Sequence, residues 1–318
     1  MIKSFSNTIL ALLLSLGYSP SLCYAQNIDS LSQNFSSFGG IIYLDSLTVT
    51  ASRQGFNVDD FILMVQSDRS FYQAFHNLRK HSYQSDNEII MYDKKGRQKA
   101  YYQNKVQQES DGDCRTMDFI EEHSAGNFFK RKRKLRYYTA KMHDRIFQTH
   151  GRICESNRVT ASHPSGIEKH IRELKKLIFA PGQAVDVPII GDRMAIFEPK
   201  MSRYYEYTIR SGKYNKTECY IFTARVKPEY RERKEHKTVV KYLETYFDKN
   251  QFQVVARDYR VKYEGALFSF DVHMQIELDL WDSSYLPKRI KYDGYWDVPA
   301  KKPETAEFTI QFYNFDRN

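Results

Sequence analysis

Two places in the chain set a histidine close to a nucleophilic side chain, a pairing that many hydrolases use. His150 precedes Cys154 by four residues, and Ser162 lies directly before His163. A working site of this kind also needs a third residue that orients the histidine, and many serine hydrolases carry a Gly-x-Ser-x-Gly turn. The sequence contains no such turn, no His-Glu-x-x-His motif and no glycine-rich phosphate loop. We therefore predict that the chain is not an enzyme, with no catalytic residues and no cofactor.

An acidic loop offers a second kind of chemistry, because carboxylate oxygens bind calcium. Glu109, Asp111 and Asp113 lie around Gly112. A calcium loop of the EF-hand type needs ligands spread over about twelve residues and a glutamate at its end. Neither feature is present, and the segment is more typical of an ordinary turn. We predict no metal site.

The densest run of charge is basic and consists of Lys130, Arg131, Lys132, Arg133 and Lys134. Such a run can hold the phosphates of lipid A or of a phospholipid through charge-assisted hydrogen bonds. We predict it as a site for an anionic surface. A solvated turn or helix start is the alternative, because blocks of like charge are commonly exposed without a ligand.

The first twenty-five residues predict where the protein works. Lys3 gives a positive start, residues 9–17 form an apolar run, and Ala25 gives a small-residue exit. These are the parts of a secretory signal peptide, so we predict cleavage after Ala25 and export to the periplasm or the outer membrane. Cleavage removes one lysine and no acidic residue, which lowers the net charge from +9 to +8. No later apolar run is long enough to cross a membrane as a helix, so we predict no transmembrane span in the mature chain.

The basic balance of the chain has to be interpreted with this location in mind. Lys and Arg number 48 against 39 Asp and Glu. In an exported protein this excess suits anionic lipid or polysaccharide surfaces. We therefore predict no nucleic-acid partner.

Three cysteines remain after the predicted cleavage: Cys114, Cys154 and Cys219. Exported proteins meet an oxidising compartment, where disulfides persist. Cys114 and Cys154 bracket the basic segment, so we predict a disulfide between them and a free Cys219 in a strand. The alternative is three buried thiols. No two of the cysteines lie within four residues of each other, which does not fit zinc-ligand spacing.

The elements that must position these residues are mostly strands. The chain has 24 Tyr and 21 Phe against 14 Gly and 9 Pro, and aromatic residues favour half-buried pleated surfaces. Helical spacing occurs at 57–81, with a break near Ser67 and Asp68, again at 135–146, and at 166–179. Strand patterns occupy 83–108, and a meander of strands separated by short polar turns fills the last 120 residues.

We therefore predict an α+β fold, in which a curved antiparallel sheet, a half-barrel-like meander, packs against amphipathic helices. Residues 1–25 are predicted as a signal peptide, 26–54 as a flexible lead with a short strand, and 55–318 as a single β-rich envelope domain.

The same pattern predicts where an apolar ligand binds. Helices that leave a gap on the concave side of a sheet create a pocket. The candidate ligand-binding residues are the apolar side chains assigned to that side: Phe61, Val65, Phe71, Phe75, Phe268, Phe270, Phe308 and Phe312. The alternative is that these residues pack together as core.

Residues 44–53 read Leu-Asp-Ser-Leu-Thr-Val-Thr-Ala-Ser-Arg. This segment resembles the stretch that leads into the plug of TonB-dependent outer-membrane receptors. The resemblance covers ten residues, and the chain is far too short for a receptor barrel. It implies a strand offered to the sheet edge of an outer-membrane protein partner. An ordinary first strand is the alternative.

The order of elements carries a second resemblance. An amphipathic helix at 58–80 is followed by strands, a middle helix at 166–179 and a long meander, and Leu286-Pro287-Lys288-Arg289-Ile290 lies at the start of a late strand. In this order the mature chain resembles the LolA/LppX-like superfamily of periplasmic lipoprotein and lipid carriers. The basic run and the paired cysteines are not part of that pattern. The resemblance implies a carrier that binds a lipid or a lipoprotein acyl chain.

Two hypotheses follow from the sequence. The leading one is a non-enzymatic cell-envelope protein that binds an apolar ligand such as a lipid or a lipoprotein acyl chain. The alternative is an interaction module that docks on an outer-membrane, TonB-dependent complex through residues 44–53.

Overall fold

Hairpins between consecutive strands build most of this fold, as the sequence pattern predicts. The computed structural model describes residues 41–44, 58–155, 179–185, 190–231, 237–266, 268–299 and 301–316. The predicted signal peptide, most of the predicted lead and the middle helix before Phe179 lie outside the described residues.

The described strands are numbered in chain order. They are β1 (Ile41–Leu44), β2 (Tyr83–Tyr92), β3 (Gln98–Ser110), β4 (Cys114–Gly126), β5 (Ile153–Cys154), β6 (Tyr205–Tyr214), β7 (Thr217–Val226), β8 (Val240–Asp248), β9 (Val254–Glu264), β10 (Ser269–Trp281), β11 (Ser284–Asp297) and β12 (Glu304–Tyr313).

These twelve strands form one antiparallel sheet in the order β1-β6-β7-β8-β9-β10-β11-β12-β2-β3-β4-β5. The meander from β6 to β12 therefore continues into β2 through the pairing of β12 with β2. Within the described part of the chain β1 and β5 are the two edges and the sheet is open. Register shifts occur in the β10–β11, β2–β3, β3–β4 and β8–β9 ladders. Such bulges bend strands, which agrees with the predicted curvature.

The described helices are a minor part of the structure. They are α1 (Val58–Ser67), α2 (Ser70–Leu78), α3 (Tyr138–Phe147), α4 (Pro199–Ser202) and α5 (Pro228–Arg231). Of these, α2 packs against β9 and β11, and α3 packs against β12. The predicted antiparallel sheet is thus confirmed, whereas the described helices contribute less than an α+β fold implies, because none is longer than ten residues.

The predicted break in the first helical segment falls where the sequence places it. The α1 helix ends at Ser67, and α2 begins at Ser70. Asp68 Oδ1 accepts hydrogen bonds from the Ser70 backbone N–H (3.0 Å) and the Ser70 hydroxyl (2.6 Å). A short acidic side chain that binds a backbone N–H at the start of a helix favours a new helix over a continued one.

Tyrosines fill the middle of the sheet and still satisfy their hydroxyl groups. Tyr205, Tyr207 and Tyr259 are fully buried. The Tyr205 hydroxyl donates to the Val240 carbonyl (2.8 Å), that of Tyr207 to the Ile196 carbonyl, and that of Tyr259 to the thioether of Met274 (3.0 Å). Burial raises the pKa of all three phenols, so they remain neutral donors.

A carboxylate from the sheet caps the α3 helix. Glu304, at the start of β12, accepts hydrogen bonds from the backbone N–H groups of Tyr138 (2.9 and 2.8 Å) and Thr139 (3.1 Å). The first N–H groups of a helix have no partner inside it, and the helix dipole favours a negative charge there. Glu304 is buried, so this cap ties α3 to β12.

A glycine allows the tightest aromatic stack on the inner face. The rings of Tyr292 and Phe308 are nearly parallel, with centroids 4.4 Å apart. Tyr292 lies across Gly294, where an added Cβ would sit 1.9 Å from the tyrosine hydroxyl oxygen. Any side chain at position 294 would displace this ring.

We predict that Glu304→Ala lowers the free energy of unfolding by about 1–2 kcal/mol, because it removes the acceptor for the first N–H groups of α3. Urea unfolding followed by circular dichroism measures the change. The control is Glu307→Ala, on the same strand but exposed. Equal stability of the Glu304→Ala variant and the unsubstituted protein would show that the cap is not stabilising.

We also predict a pH dependence that arises from His143. This side chain is buried against Phe147 and Phe308, and its Nε2 has no hydrogen-bond partner among the described residues. Burial lowers its pKa from 6.5 to about 3. The unfolded chain therefore binds a proton first, and stability is lost as the pH falls from 6.5 towards 3, by up to about 1.4 kcal/mol per pH unit.

His143→Leu should flatten this acid limb, because leucine cannot take up the proton. The measurement is the free energy of unfolding in urea between pH 7 and about pH 4. His150→Leu is the control, because His150 is exposed and pairs with Asp144 (2.9 Å). If the pH dependence were the same with and without the imidazole of His143, this assignment would be wrong.

Candidate binding cavity

A cavity of about 440 Å³ lies between the break in the helices and the sheet. One wall is the end of α1, the break and the start of α2. A second wall is the turn around residues 179–183 together with Phe197, and the strands β8 and β9 form the side towards the sheet. The lining residues are Val65, Gln66, Ser67, Asp68, Arg69, Phe71, Tyr72, Phe179, Ala180, Pro181, Gln183, Phe197, Leu243, Thr245 and Arg257.

Apolar side chains from separate elements face this space. Phe197 packs on Tyr207 and Phe222 of the sheet, which holds it beside the cavity. The turn next to it is held by Gly182, whose φ of +95° favours glycine and whose carbonyl accepts a hydrogen bond from the Ile196 N–H (3.1 Å). The sheet therefore holds Phe197 in its place on the apolar wall.

The polar part of the wall is a buried ion pair. Arg257 Nη2 lies 3.8 Å from Asp68 Oδ2, and both side chains are less than a tenth exposed. Arg257 also donates from Nε to the Thr245 hydroxyl (3.1 Å), and its guanidinium lies over the Phe71 ring, 4.3 Å from the centroid. Burial lowers the pKa of Arg257, and the Asp68 charge opposes this shift.

One carboxylate oxygen of this ion pair accepts no hydrogen bond from the described residues. Asp68 Oδ1 is bound by Ser70, but Asp68 Oδ2 is buried and has no hydrogen-bond partner among the described residues. Unsatisfied buried acceptors are costly, especially when charged. The wall therefore contains one buried carboxylate oxygen that accepts no hydrogen bond from the described residues.

The eight predicted ligand-binding residues do not all meet in this cavity. Val65 and Phe71 line it. Phe75 and Phe312 line a smaller space of about 100 Å³ near the buried Arg115. The other four pack with aromatic neighbours: Phe61 on Tyr220 and Phe247, Phe268 on Phe270, Phe270 on Trp296, and Phe308 on Tyr292. Their role in ligand binding remains a prediction.

Sequence reasoning did not single out Asp68 as a wall residue, nor Thr245 and Arg257. The sequence did contain a signal for Arg257, because this residue directly follows the apolar run Val254, Val255 and Ala256. In the structure it takes an inward position of β9. A cation at an inward position of a strand needs a partner, but the sequence does not show that Asp68 is that partner.

The predicted disulfide joins Cys114 to Cys154, and Cys219 is free and buried in β7, as predicted. The two bonded cysteines are register partners on β4 and β5. Because Cys154 is bonded, it cannot act as a nucleophile beside His150. Ser162 and His163 lie outside the described residues.

The acidic loop forms a turn, as predicted. Asp111 Oδ1 accepts the backbone N–H groups of Asp113 (3.2 Å) and Cys114 (2.6 Å), and Asp111 Oδ2 pairs with Arg152 (2.7 Å). These bonds hold its carboxylate in the turn. They also lower the pKa of Asp111, with the Cys114 N–H as the largest cause.

The basic run forms an exposed turn between β4 and α3. Residues 131–133 make one turn of 3₁₀ helix, and Lys132 and Arg133 have positive φ. Arg133 is paired with Glu122 (2.9 Å) and lies over Phe129. This conformation is the solvated turn that the sequence offered as the alternative. Binding of an anionic surface by the run remains a prediction.

The chain was compared with known proteins. No family model and no curated protein matches it. Among solved structures it is similar to a DUF1329 family protein from Desulfovibrio piger, with 12% identity and a TM-score of 0.25, covering 80% of this chain and 88% of that chain.

Two further solved structures are similar to the chain. One is a putative outer membrane lipoprotein-sorting protein domain from Vibrio parahaemolyticus (9% identity, TM-score 0.26, 77% of this chain and 90% of that chain). The other is the LolA superfamily protein NE2245 from Nitrosomonas europaea (9% identity, TM-score 0.24, 79% and 93%). The LolA superfamily named by the sequence resemblance is thus among the structural neighbours. At TM-scores this low, the similarity says nothing about the ligand or the partners of this chain.

Two further predictions concern the docking segment at residues 44–53 and the lack of a transmembrane span. Of the segment 44–53, only Leu44 is among the described residues, at the end of β1. No helix in the described ranges is long and apolar enough to span a membrane.

We predict that Arg257→Met lowers the free energy of unfolding by about 3 kcal/mol, because it leaves the buried Asp68 charge without its partner. Adding Asp68→Asn should restore part of the loss, because the uncompensated charge is then gone. The measurement is a double-mutant cycle from urea unfolding.

The control for this cycle is Lys288→Met, which removes an exposed ion pair with Asp279 (2.8 Å) and should cost less than about 1 kcal/mol. Additive effects of the Arg257 and Asp68 substitutions would contradict the coupling.

Proposed function

We propose that this chain is a non-enzymatic, exported cell-envelope protein that binds the apolar chain of a lipid or lipoprotein in the cavity beside the helix break. The observation that carries the proposal is the cavity itself. Its volume, about 440 Å³, lies within the range of roughly 300–1,000 Å³ typical of small-molecule sites. Its lining is mixed, with eight apolar or aromatic residues and seven polar or charged ones.

The walls favour a ligand with a long apolar part. Val65, Phe71, Phe179, Phe197 and Leu243 offer apolar surface from five separate places in the chain. Each methylene that moves from water into such surroundings contributes about 0.8 kcal/mol. A single acyl chain therefore gains enough to bind without a network of hydrogen bonds.

The polar wall favours an amphiphilic ligand over a pure hydrocarbon. Asp68 Oδ2 lacks a hydrogen-bond partner among the described residues, and Arg257 lies beside it. A hydroxyl or amide N–H at the end of an acyl chain supplies the missing donor once the wall shifts enough to uncover this buried oxygen. A few convergent polar groups of this kind fix the orientation of a ligand in an apolar site.

Export is supported by two features of the chain. The first is the predicted signal peptide, and the second is the disulfide between Cys114 and Cys154. Disulfides persist in exported proteins and are rare in reducing compartments.

The second candidate function is docking on an outer-membrane, TonB-dependent complex through residues 44–53. The observation that favours it is the position of β1 at the edge of the sheet, where it pairs with β6 from Ile41↔Arg210 to Leu44↔Tyr207. An edge strand can accept a further strand from another protein.

The test combines native mass spectrometry with a blocked cavity. Purified mature protein should carry lipid, and it should bind a fluorescent long-chain fatty acid in solution. Val65→Trp places a large ring in the cavity and should weaken fatty-acid binding at least about tenfold. Leu63→Trp is the matched control, because Leu63 lies on the same helix and is 60% exposed.

The outcomes separate the two candidates. Lipid bound by the unsubstituted protein and lost in the Val65→Trp variant supports the carrier. Retained binding in that variant, with an unchanged thermal unfolding curve, contradicts the assigned cavity. An absence of lipid together with a co-purified outer-membrane protein supports docking instead.

A further inference from the structure

The basic run at 130–134 forms the tip of a short loop that leads from β4 into α3. Phe129 and Leu135 pair in an antiparallel bridge at the base of this loop. Across the tip, the Lys130 N–H donates to the Lys134 carbonyl (2.7 Å). All five side chains of the run are exposed. Several consecutive peptide bonds, each of which follows a lysine or an arginine, therefore lie together at the protein surface.

The backbone of the tip is strained at two neighbouring residues. Lys132 has a φ of +57° and Arg133 a φ of +52°. Residues with a Cβ rarely adopt this left-handed conformation, because the Cβ then crowds the backbone. Within the described residues, only Arg133 of the five cations pairs with a carboxylate, that of Glu122 (2.9 Å). Strained, exposed segments with little buried surface open locally at a small cost in free energy.

Both flanks of the loop are anchored in the fold. Before the tip, Phe128 is fully buried and stacks on Tyr102, with ring centroids 5.0 Å apart. After the tip, the Glu304 carboxylate caps α3 through the N–H groups of Tyr138 and Thr139. The tip can therefore open while its flanks stay in place.

A break in the tip would divide the chain without separating its two parts. The disulfide between Cys114 and Cys154 brackets the tip and joins the parts covalently. The ladder of β12 with β2 joins them as well, because β2 lies before the tip and β12 lies after it. A chain cut at the tip therefore remains one folded unit.

The turn between β2 and β3 provides a comparison, because Lys94 and Lys95 are exposed there as well. In that turn Asp93 Oδ1 accepts the N–H groups of Lys95 (2.8 Å) and Arg97 (3.0 Å). Its only residue with a positive φ is Gly96, which adopts this conformation without strain. Exposed lysines are thus common to both turns, and the strained backbone distinguishes the tip at 130–134.

We propose that the tip is a cleavage site for an endopeptidase of trypsin-like specificity, which converts this chain into two chains joined by the Cys114–Cys154 disulfide. Such a peptidase supplies its own nucleophile and binds a lysine or arginine side chain in a pocket that contains a carboxylate. Exposed loop tips are preferred sites of these cuts. In the reaction the peptide C–N bond breaks, and water supplies a hydroxyl to the carbonyl carbon and a proton to the new amine.

The first experiment is limited digestion of the purified, oxidised protein by trypsin. A cut at 130–134 should give one band on a gel without reductant and two bands with it, and mass spectrometry of the reduced pieces assigns the cut. Circular dichroism should show that the cut protein keeps its sheet, because the disulfide and the β12–β2 ladder hold the parts together.

Two variants control for the site. The tip variant has glutamine at all five positions of the run and should be cut between β4 and α3 at least about tenfold more slowly, because the peptidase pocket then lacks its cation. The matched variant, Lys94→Gln/Lys95→Gln, should be cut at the tip at the unchanged rate. All substituted side chains are exposed, so both variants should fold, and thermal unfolding checks this.

The second experiment asks whether the cut occurs in cells. Protein recovered from the envelope of the cells that make it should run as two chains with reductant, and the tip variant should run as one. A single reduced chain in both cases overturns the proposal, even where trypsin cuts the purified protein.

The digestion has its own contrary outcomes. Cleavage at 130–134 that is no faster than cleavage at 94–97, or that begins only where circular dichroism shows the whole protein unfolded, overturns the proposal. None of these measurements involves the cavity, so the proposed function is tested separately.

Discussion

The pairing of β12 with β2 is the constraint on which the rest of the structure depends. These strands lie more than two hundred residues apart, yet they pair over nine positions, from Thr305↔Tyr92 to Tyr313↔Gln84. Within the described part of the chain, this ladder makes one sheet of the meander and the N-terminal hairpins.

The contacts around this ladder strengthen the same joint. Asp316 bonds Ser82 in both directions, accepting from its N–H (2.9 Å) and donating to its carbonyl (3.1 Å). Glu304, at the start of β12, caps α3, and His143 of α3 packs on Phe308 of the same strand. Long-range strand pairing carries a large loop-closure entropy, so this joint should form late in folding.

The two faces of the sheet differ because side chains alternate along β8 and β9. Successive side chains of a strand point to opposite faces. Thr245 and Arg257 therefore line the cavity, whereas Tyr242 and Arg260 lie on the opposite face of the sheet. A one-residue slip in this ladder would exchange the two sets of side chains between the faces.

Local structure could be predicted from the sequence where the signal is local. The helix break at Asp68, the hairpin turns and the Cys114–Cys154 disulfide each depend on residues that lie close in sequence or on a small number of possible pairs. The pairing of β2 with β12 could not be predicted, because a strand pattern shows that a segment pairs and which face is apolar, but not which distant strand it pairs with.

The candidate binding residues show the same limit. The basic run at 130–134 attracts notice because its charges are consecutive, yet it forms an exposed turn. By contrast, Arg225, Tyr242 and Arg260 are far apart in sequence, and strand register makes them neighbours. Apolar spacing marked Val65 and Phe71, which line the cavity, but it could not separate cavity walls from core, because both are apolar and inward.

The ion pair of Asp68 and Arg257 is hard to explain as a device for stability alone. A buried pair of this kind often contributes no more than apolar residues of similar volume would. Here it is also incompletely bonded, because Asp68 Oδ2 lacks a hydrogen-bond partner among the described residues. Under the proposed function the pair has a second role, since an oriented charge pair at one wall distinguishes the polar end of an amphiphile from its chain. The polar wall then sets the direction of the ligand, and the apolar walls supply most of its affinity.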